Sequence, residues 1–181
     1  MAIQLEKISG VVGGYLMQYP DESQALAPLV EAVGRGFDFT SRRRYPAHIT
    51  AGAALLDSSG RLLQIHHRAL GQWLPPGGHS EPDDKSLVAT ALRELEEETG
   101  IGVGDVEQLG GEEMPVRIGV YPIPADELRG EPAHRHFDFL FGFRAAGPVE
   151  VRIGHEAFAY RWRALNEVDE RELGRRLMVL R

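Results

Sequence analysis

Glu94, Glu97 and Glu98 stand at i, i+3 and i+4 in the run Arg93-Glu94-Leu95-Glu96-Glu97-Glu98-Thr99-Gly100. On a helix that spacing projects three carboxylates from one patch. Like charges so placed cost roughly 0.2–0.5 kcal/mol per pair, and acids in the last turn oppose the helix dipole by about 0.3–1 kcal/mol each. A hard divalent cation would offset that cost. Mg2+ suits the cluster because it prefers carboxylate and carbonyl oxygens and keeps waters and substrate phosphates as its remaining ligands; Mn2+ could take its place. The competing reading is a solvated helix end rich in Glu, a good helix former.

Other residues could serve the same chemistry. Gly77-Gly78, after Pro75-Pro76, lets the backbone pass close to a ligand, so that a carbonyl there can reach a metal with no side chain in the way. Arg44 ends an Arg42-Arg43-Arg44 triplet that either meets substrate phosphates or is a solvated basic loop, and Arg68 is a further candidate substrate contact. His134 and His136, at i, i+2 on a strand, share a face and could hold a metal or touch a phosphate, with His136 the substrate-binding candidate. Cys is absent and no third His is nearby in sequence, so ordinary histidines are expected there rather than zinc.

The acids need a helix to hold them. Val88, Ala91, Leu92 and Leu95 recur at helical spacing, which predicts a helix with one buried stripe. Asp83 or Asp84 is expected to cap its start, and Gly100 suits the left-handed residue past its end. Ahead of it, His48–Leu56 and Leu62–His67 read as strands joined through Asp57-Ser58-Ser59-Gly60, a hairpin. Beyond it, Val116, Ile118 and Val120 alternate, Pro122–Ala133 reads as a loop, and Phe137, Phe139, Phe141 and Phe143 mark a strand with one phenylalanine face. Those rings are expected in the core, with one at the strand's end as a conceivable stacking platform. Leu173, Leu177 and Leu180 predict a terminal helix. At the other end, after a short apolar start, Asp21–Gly34 predicts a helix with Leu26, Leu29, Val30 and Val33 on one face and Asp21 and Gln24 as a capping box.

Taken with this frame, the segment from Gly78 to Ile101 resembles the signature of the Nudix hydrolase family, G-x5-E-x7-R-E-U-x-E-E-x-G-U, with U an aliphatic residue. Arg93 to Ile101 match the second half at every specified position. In the first half one residue is inserted: counting forward from Gly78 puts the expected Glu on Asp84, counting back from Arg93 on Lys85. The resemblance implies an α/β/α sandwich around a mixed β-sheet, here with residues 1–44 as an N-terminal helical extension and 45–181 as the Nudix domain. It implies Mg2+-dependent hydrolysis of a diphosphate linkage in a nucleoside diphosphate derivative. Glu94, Glu97, Glu98 and the Gly77 carbonyl would be metal ligands, Glu94 or Glu156 the base, and Arg93 an orienting residue within the catalytic group. Glu131 is a weaker rival to Glu156. Tyr160-Arg161-Trp162 and Leu165–Val168 resemble the last strand and helix entry of the family, for which a homodimer is common. The alternative is a Nudix-fold nucleotide-binding or regulatory module without hydrolysis, which would be expected to lack the acids.

Composition narrows the choices. A chain of 181 residues with 43% hydrophobic content suits one well-buried domain with an extension. Its 27 acids against 20 bases, net charge −7, argue against a nucleic-acid polymer as partner and leave a small phosphate compound held through metal. The absence of Cys excludes a disulfide framework, a thiolate zinc site, and the cysteine expected of the isoprenyl diphosphate isomerases that share this fold. No apolar run is long enough to span a membrane, and the N-terminus lacks the pattern of a signal peptide, so a cytoplasmic protein is expected.

Overall fold

The computed structural model describes residues 3–111, 113–127 and 130–180. Its centre is a parallel pair. Strand β1 (Ala47–Leu56) runs beside β7 (His134–Ala145) through ten residue pairs, from Ala47↔Arg135 to Leu56↔Arg144. Antiparallel strands extend this pair: β4 (Gly77–His79) on β1, and β5 (Val106–Gln108) and β6 (Arg117–Ile123) on β7. Strand β2 (Arg61–His67) pairs with β3 (Gln72–Leu74) and β8 (Ala157–Ala164). The sheet is therefore mixed, with eight strands among the described residues.

Period-2 alternation sorts the side chains to two faces. Phe137, Phe139, Phe141 and Phe143 are all buried, in one cluster with Ile49, Ala51, Ala53 and Leu55. None is left as a stacking platform. Helix α3 (Leu87–Thr99) covers this face through Leu87, Ala91 and Leu95. Ala54, Leu56, Leu62 and Leu140 form the other face, under Leu173 and Leu177 of α4 (Arg171–Leu180). Strand β1 is buried along its whole length, and at Gly52 the adjoining backbone demands a small residue, since a Cβ there would lie 2.8 Å from the Pro76 carbonyl. Helices lie on both faces, the expected sandwich.

Local expectations fare unevenly. The predicted hairpin survives only at its base: Asp57 accepts bonds from the Ser59 and Arg61 amides, at 2.9 Å each, but β1 and β2 share the single pair Leu56↔Leu62 before they diverge. The cap of α3 is Ser86, which accepts from the Ala89 amide at 3.1 Å, in place of Asp83 or Asp84. Gly100 does adopt the left-handed conformation, φ 71°. Of the predicted loop at Pro122–Ala133, Pro122 and Ile123 extend β6, while Leu128 and Arg129 lie outside the described residues.

The N-terminal reading needs correction. The apolar start is a 14-residue helix, α1 (Leu5–Gln18), with Ile8, Val12 and Tyr15 buried. Gly10, Gly13 and Gly14, poor helix formers, dilute its signal. The predicted helix at Asp21–Gly34 divides into a 3-10 turn, Pro20–Glu22, and α2 (Ala27–Gly34), and its Asp21–Gln24 box is not formed among the described residues. Glu22 instead binds across the fold: the Tyr15 hydroxyl donates to it at 2.6 Å, and Arg176 of α4 pairs with it while donating to Tyr15 at 2.6 Å and to the Val116 carbonyl at 2.9 Å. Burial and that bond to Glu22 push the Tyr15 pKa up to about 12. Ile8, Tyr15 and Leu29 also share the core with the sheet.

Candidate active site

Arg93 organises the acids. Its Nη1 donates to Glu94 at 2.9 Å and to Glu97 at 3.2 Å; Nη2 donates to the His79 carbonyl at 2.7 Å. Nε and Nη2 grip Asp84 at 3.2 and 3.1 Å, a bidentate pair. Asp84 is only 6% exposed, and it also accepts from the Glu81 amide at 2.8 Å and the Thr90 hydroxyl at 2.9 Å. This settles where the inserted residue goes: a turn closed by Asp84 N–H on the Glu81 carbonyl takes it up, Asp84 faces Arg93, and Lys85 points to solvent.

Glu98 is 4% exposed. One of its oxygens accepts the Gly77 amide at 2.8 Å; the other, Oε1, is buried with no hydrogen-bond partner among the described residues. Glu94 folds against the Gly77-Gly78 loop so closely that a Cβ on Gly78 would stand 2.6 Å from its carboxylate. Burial, together with the charges of Glu94, Glu156 and Glu97, pushes the Glu98 pKa up to about 7 against the opposing Gly77 bond. Burial also raises Glu94, which Arg93 pulls the other way. Glu97 stays more than half exposed.

The loop before β8 brings in a further acid. Arg152 N–H donates to the Thr99 carbonyl at 2.7 Å and Gly154 N–H to the Glu98 carbonyl at 2.9 Å, so the open end of α3 anchors the loop. Gly154 must be small, since a Cβ there would meet the Glu97 carbonyl at 2.7 Å. Two residues on, a Glu156 carboxylate oxygen lies within 4.8 Å of ligand atoms of Glu98 and His67. Sequence reading passed over His67. The β2–β8 pairing His67↔Ala157, which no local pattern encodes, is what puts it there.

Arg93 thus joins Glu94 and Glu97, while Glu98, on the Gly77 amide, has its converging neighbours in Glu156 and His67. Arg68 adjoins them: its N–H donates to the Glu156 carbonyl at 2.8 Å, its Nε to the Ala157 carbonyl at 3.0 Å, and its guanidinium lies over Phe158 at 4.3 Å. Glu131 is elsewhere, 3.6 Å from Arg42. Arg44 is exposed and paired with Asp38 at 3.0 Å. His136 and His134 sit with His48 and His79, two histidines the sequence reading did not connect with them.

A buried, unpartnered carboxylate oxygen beside further acids is what a divalent cation would satisfy, and the converging donors are two carboxylates with the His67 ring nitrogen beside them. Without a cation the cluster is costly. The folded-state pKa of Glu98 lies above its ordinary 4.5, so its contribution to stability is complete below about pH 4.5 and is lost as pH rises through about 7. Metal-free protein is expected to lose stability between about pH 4.5 and pH 7 relative to Glu98→Gln, and urea titrations of the two across that range measure the difference.

A family model of the NUDIX domain matches residues 46–179. A bis(5'-nucleosyl)-tetraphosphatase (asymmetrical) of Sus scrofa is 34% identical over 103 residues, 57% of this chain and 59% of that protein. A probable DHNTP pyrophosphohydrolase of Lactococcus lactis is 32% identical over 91 residues, 50% of this chain and 51% of that protein. The chain thus spans little more than half the length of these relatives. The crystal structure of a NUDIX family hydrolase from Clostridium perfringens superposes with a TM-score of 0.54, covering 74% of this chain and 98% of the other at 17% identity, and so shares the fold. With the family model spanning the sheet, α3 and α4, this chain belongs to the NUDIX family.

Proposed function

We propose that the chain is a Mg2+-dependent pyrophosphohydrolase that cleaves a diphosphate linkage in a small nucleoside diphosphate derivative. The observation that carries this reading is the unpartnered Glu98 oxygen, buried beside Glu94 and Glu156 on a NUDIX domain. The names of the matched relatives, a tetraphosphatase and a pyrophosphohydrolase, support the same reaction class.

In this reading Glu94, Glu97, Glu98 and the Gly77 carbonyl hold Mg2+, and Mn2+ substitutes for it. The bound ion supplies charge neutralisation at the diphosphate and a lowered pKa for water. The chain's own groups do the rest. Glu156 accepts the water's proton: its carboxylate is half exposed, whereas Glu94 is clasped by Arg93 on one side and by the Gly78 backbone on the other. Arg93 is a positioning residue, committed to Asp84, Glu94, Glu97 and the His79 carbonyl. Arg68, beside Glu156, meets substrate phosphate, a role for which Arg44 is less suited because Asp38 engages it. No helix among the described residues is long and apolar enough to cross a membrane.

The test is a panel of dinucleoside polyphosphates, nucleotide sugars, nucleoside triphosphates and nucleotide coenzymes, with Mg2+ or Mn2+, both products being identified. Metal-dependent release of two phosphorylated products from at least one compound is expected. Metal-dependent binding without turnover across the panel would contradict hydrolysis and favour a binding module.

A further inference from the structure

Four histidines from three strands meet where β1, β4 and β7 lie side by side. His48 and His136 are direct partners in the parallel pair, His134 lies two residues along the same face, and His79 comes from β4. This face is the one opposite the phenylalanines. The rings of His48 lie 4.6 and 4.8 Å from those of His134 and His136, and the His134 and His136 rings are 5.1 Å apart. One nitrogen from each of the three lies within 4.8 Å of the other two.

The hydrogen bonds decide which nitrogens are bare. His48 Nδ1 lies 3.1 Å from the Arg44 carbonyl and His134 Nδ1 lies 2.8 Å from the Pro132 carbonyl. A carbonyl only accepts, so each Nδ1 carries the proton and each Nε2 presents a lone pair. The Nε2 of His134 stands 3.2 Å from that of His136, which stands 3.4 Å from that of His79. A proton on His136 Nε2 satisfies at most this local contact. It leaves His48 Nε2, which is buried with no partner among the described residues. For His48 and His134, backbone carbonyls that fix the tautomer from behind and lone pairs that face His136 in front are the arrangement of metal-binding histidines.

We propose that His48, His134 and His136 bind one zinc-class divalent ion through their Nε2 atoms, with His79 adjoining the site from β4. A tetrahedral ion with Zn–N bonds of about 2.0–2.1 Å places its ligands about 3.3–3.4 Å apart, against 3.2 Å for His134 and His136. Three imidazoles suit Zn2+, Co2+ or Ni2+ and do not suit Mg2+, so this site and the acidic one select different ions. Burial and mutual repulsion hold the His136 pKa down to about 4, and burial lowers that of His48. Arg42 is the opposing charge on this side, and Glu131 meets it at 3.6 Å. The ion would tie β1 to β7 and, through the two carbonyls, to the segments that precede them.

The test uses the full chain without a polyhistidine tag, stripped of metal and returned to millimolar Mg2+ so that the acidic cluster is supplied. Co2+ is then titrated and its visible tetrahedral absorption followed, and Zn2+ is titrated against a chromophoric chelator. One equivalent is expected with a tetrahedral Co2+ band. His136→Gln and His48→Gln should each weaken Zn2+ binding by more than the roughly 10–100-fold that outer-shell partners carry. Glu98→Gln should bind as wild type does. No tetrahedral band and no Zn2+ uptake by the wild-type chain in Mg2+ would overturn the site, whether or not the histidine variants fold. So would uptake that survives both histidine changes, or uptake lost in Glu98→Gln.

Discussion

Glu98→Gln is expected to lower turnover at least about a hundredfold in saturating Mg2+ and to leave the fold intact. The change is nearly isosteric: a Gln carbonyl still accepts the Gly77 amide, the one hydrogen bond the Glu98 side chain makes among the described residues. What goes is the charge. In the metal-free protein that charge is a liability, since burial and three neighbouring acids disfavour it, so the variant should match or exceed wild type in stability above about pH 7. Glu97→Gln should show the same kinetic loss with little effect on stability, because its carboxylate is more than half exposed. Activity and urea titrations on the same samples separate the two effects. Near-normal rates in both variants would remove the metal role from this end of α3.

Arg93→Met behaves in the opposite way. It leaves Asp84, 6% exposed, without its bidentate partner, and releases Glu94 and Glu97 from the clasp that sets their spacing. Stripping one partner from a buried ion pair typically costs about 3–5 kcal/mol. Arg93 is about one-fifth exposed, so the lower end of that range is expected, with activity falling as well. Lys does not restore either property, because one ammonium cannot span Asp84, Glu94, Glu97 and the His79 carbonyl at once. Replacing Asp84 by Asn together with Arg93→Met should recover part of the stability and none of the activity. Equilibrium denaturation of the single and double variants measures this coupling.

These contrasts show which parts of the fold a sequence can carry. The acids on α3 are legible because their placement is local: helical spacing alone puts Glu94, Glu97 and Glu98 on one patch and Arg93 within reach of Glu97. The Phe137–Phe143 alternation is legible for the same reason on a strand. Counting fails at Asp84, where a one-residue insertion leaves two registers open until the Glu81–Asp84 turn chooses between them. It fails again at α1, whose buried stripe of Ile8, Val12 and Tyr15 is interrupted by glycines that packing on the sheet tolerates. His48 lies 88 positions from His136, and only the parallel register of β1 and β7 makes them neighbours. His67 and Glu156 likewise meet through a β2–β8 pairing that composition does not specify. Glu156 itself was reachable through family resemblance, because its loop is held to the C-terminal carbonyls of α3 rather than by any motif of its own.

The most direct test is to locate Mn2+ by anomalous scattering in crystals grown with a non-hydrolysable diphosphate. Density between the carboxylates of Glu94, Glu97 and Glu98, within coordination distance of Glu98 Oε1, is the expected result. Carboxylates turned apart into solvent with no peak among them, in crystals where the diphosphate is bound, would contradict the proposed enzyme.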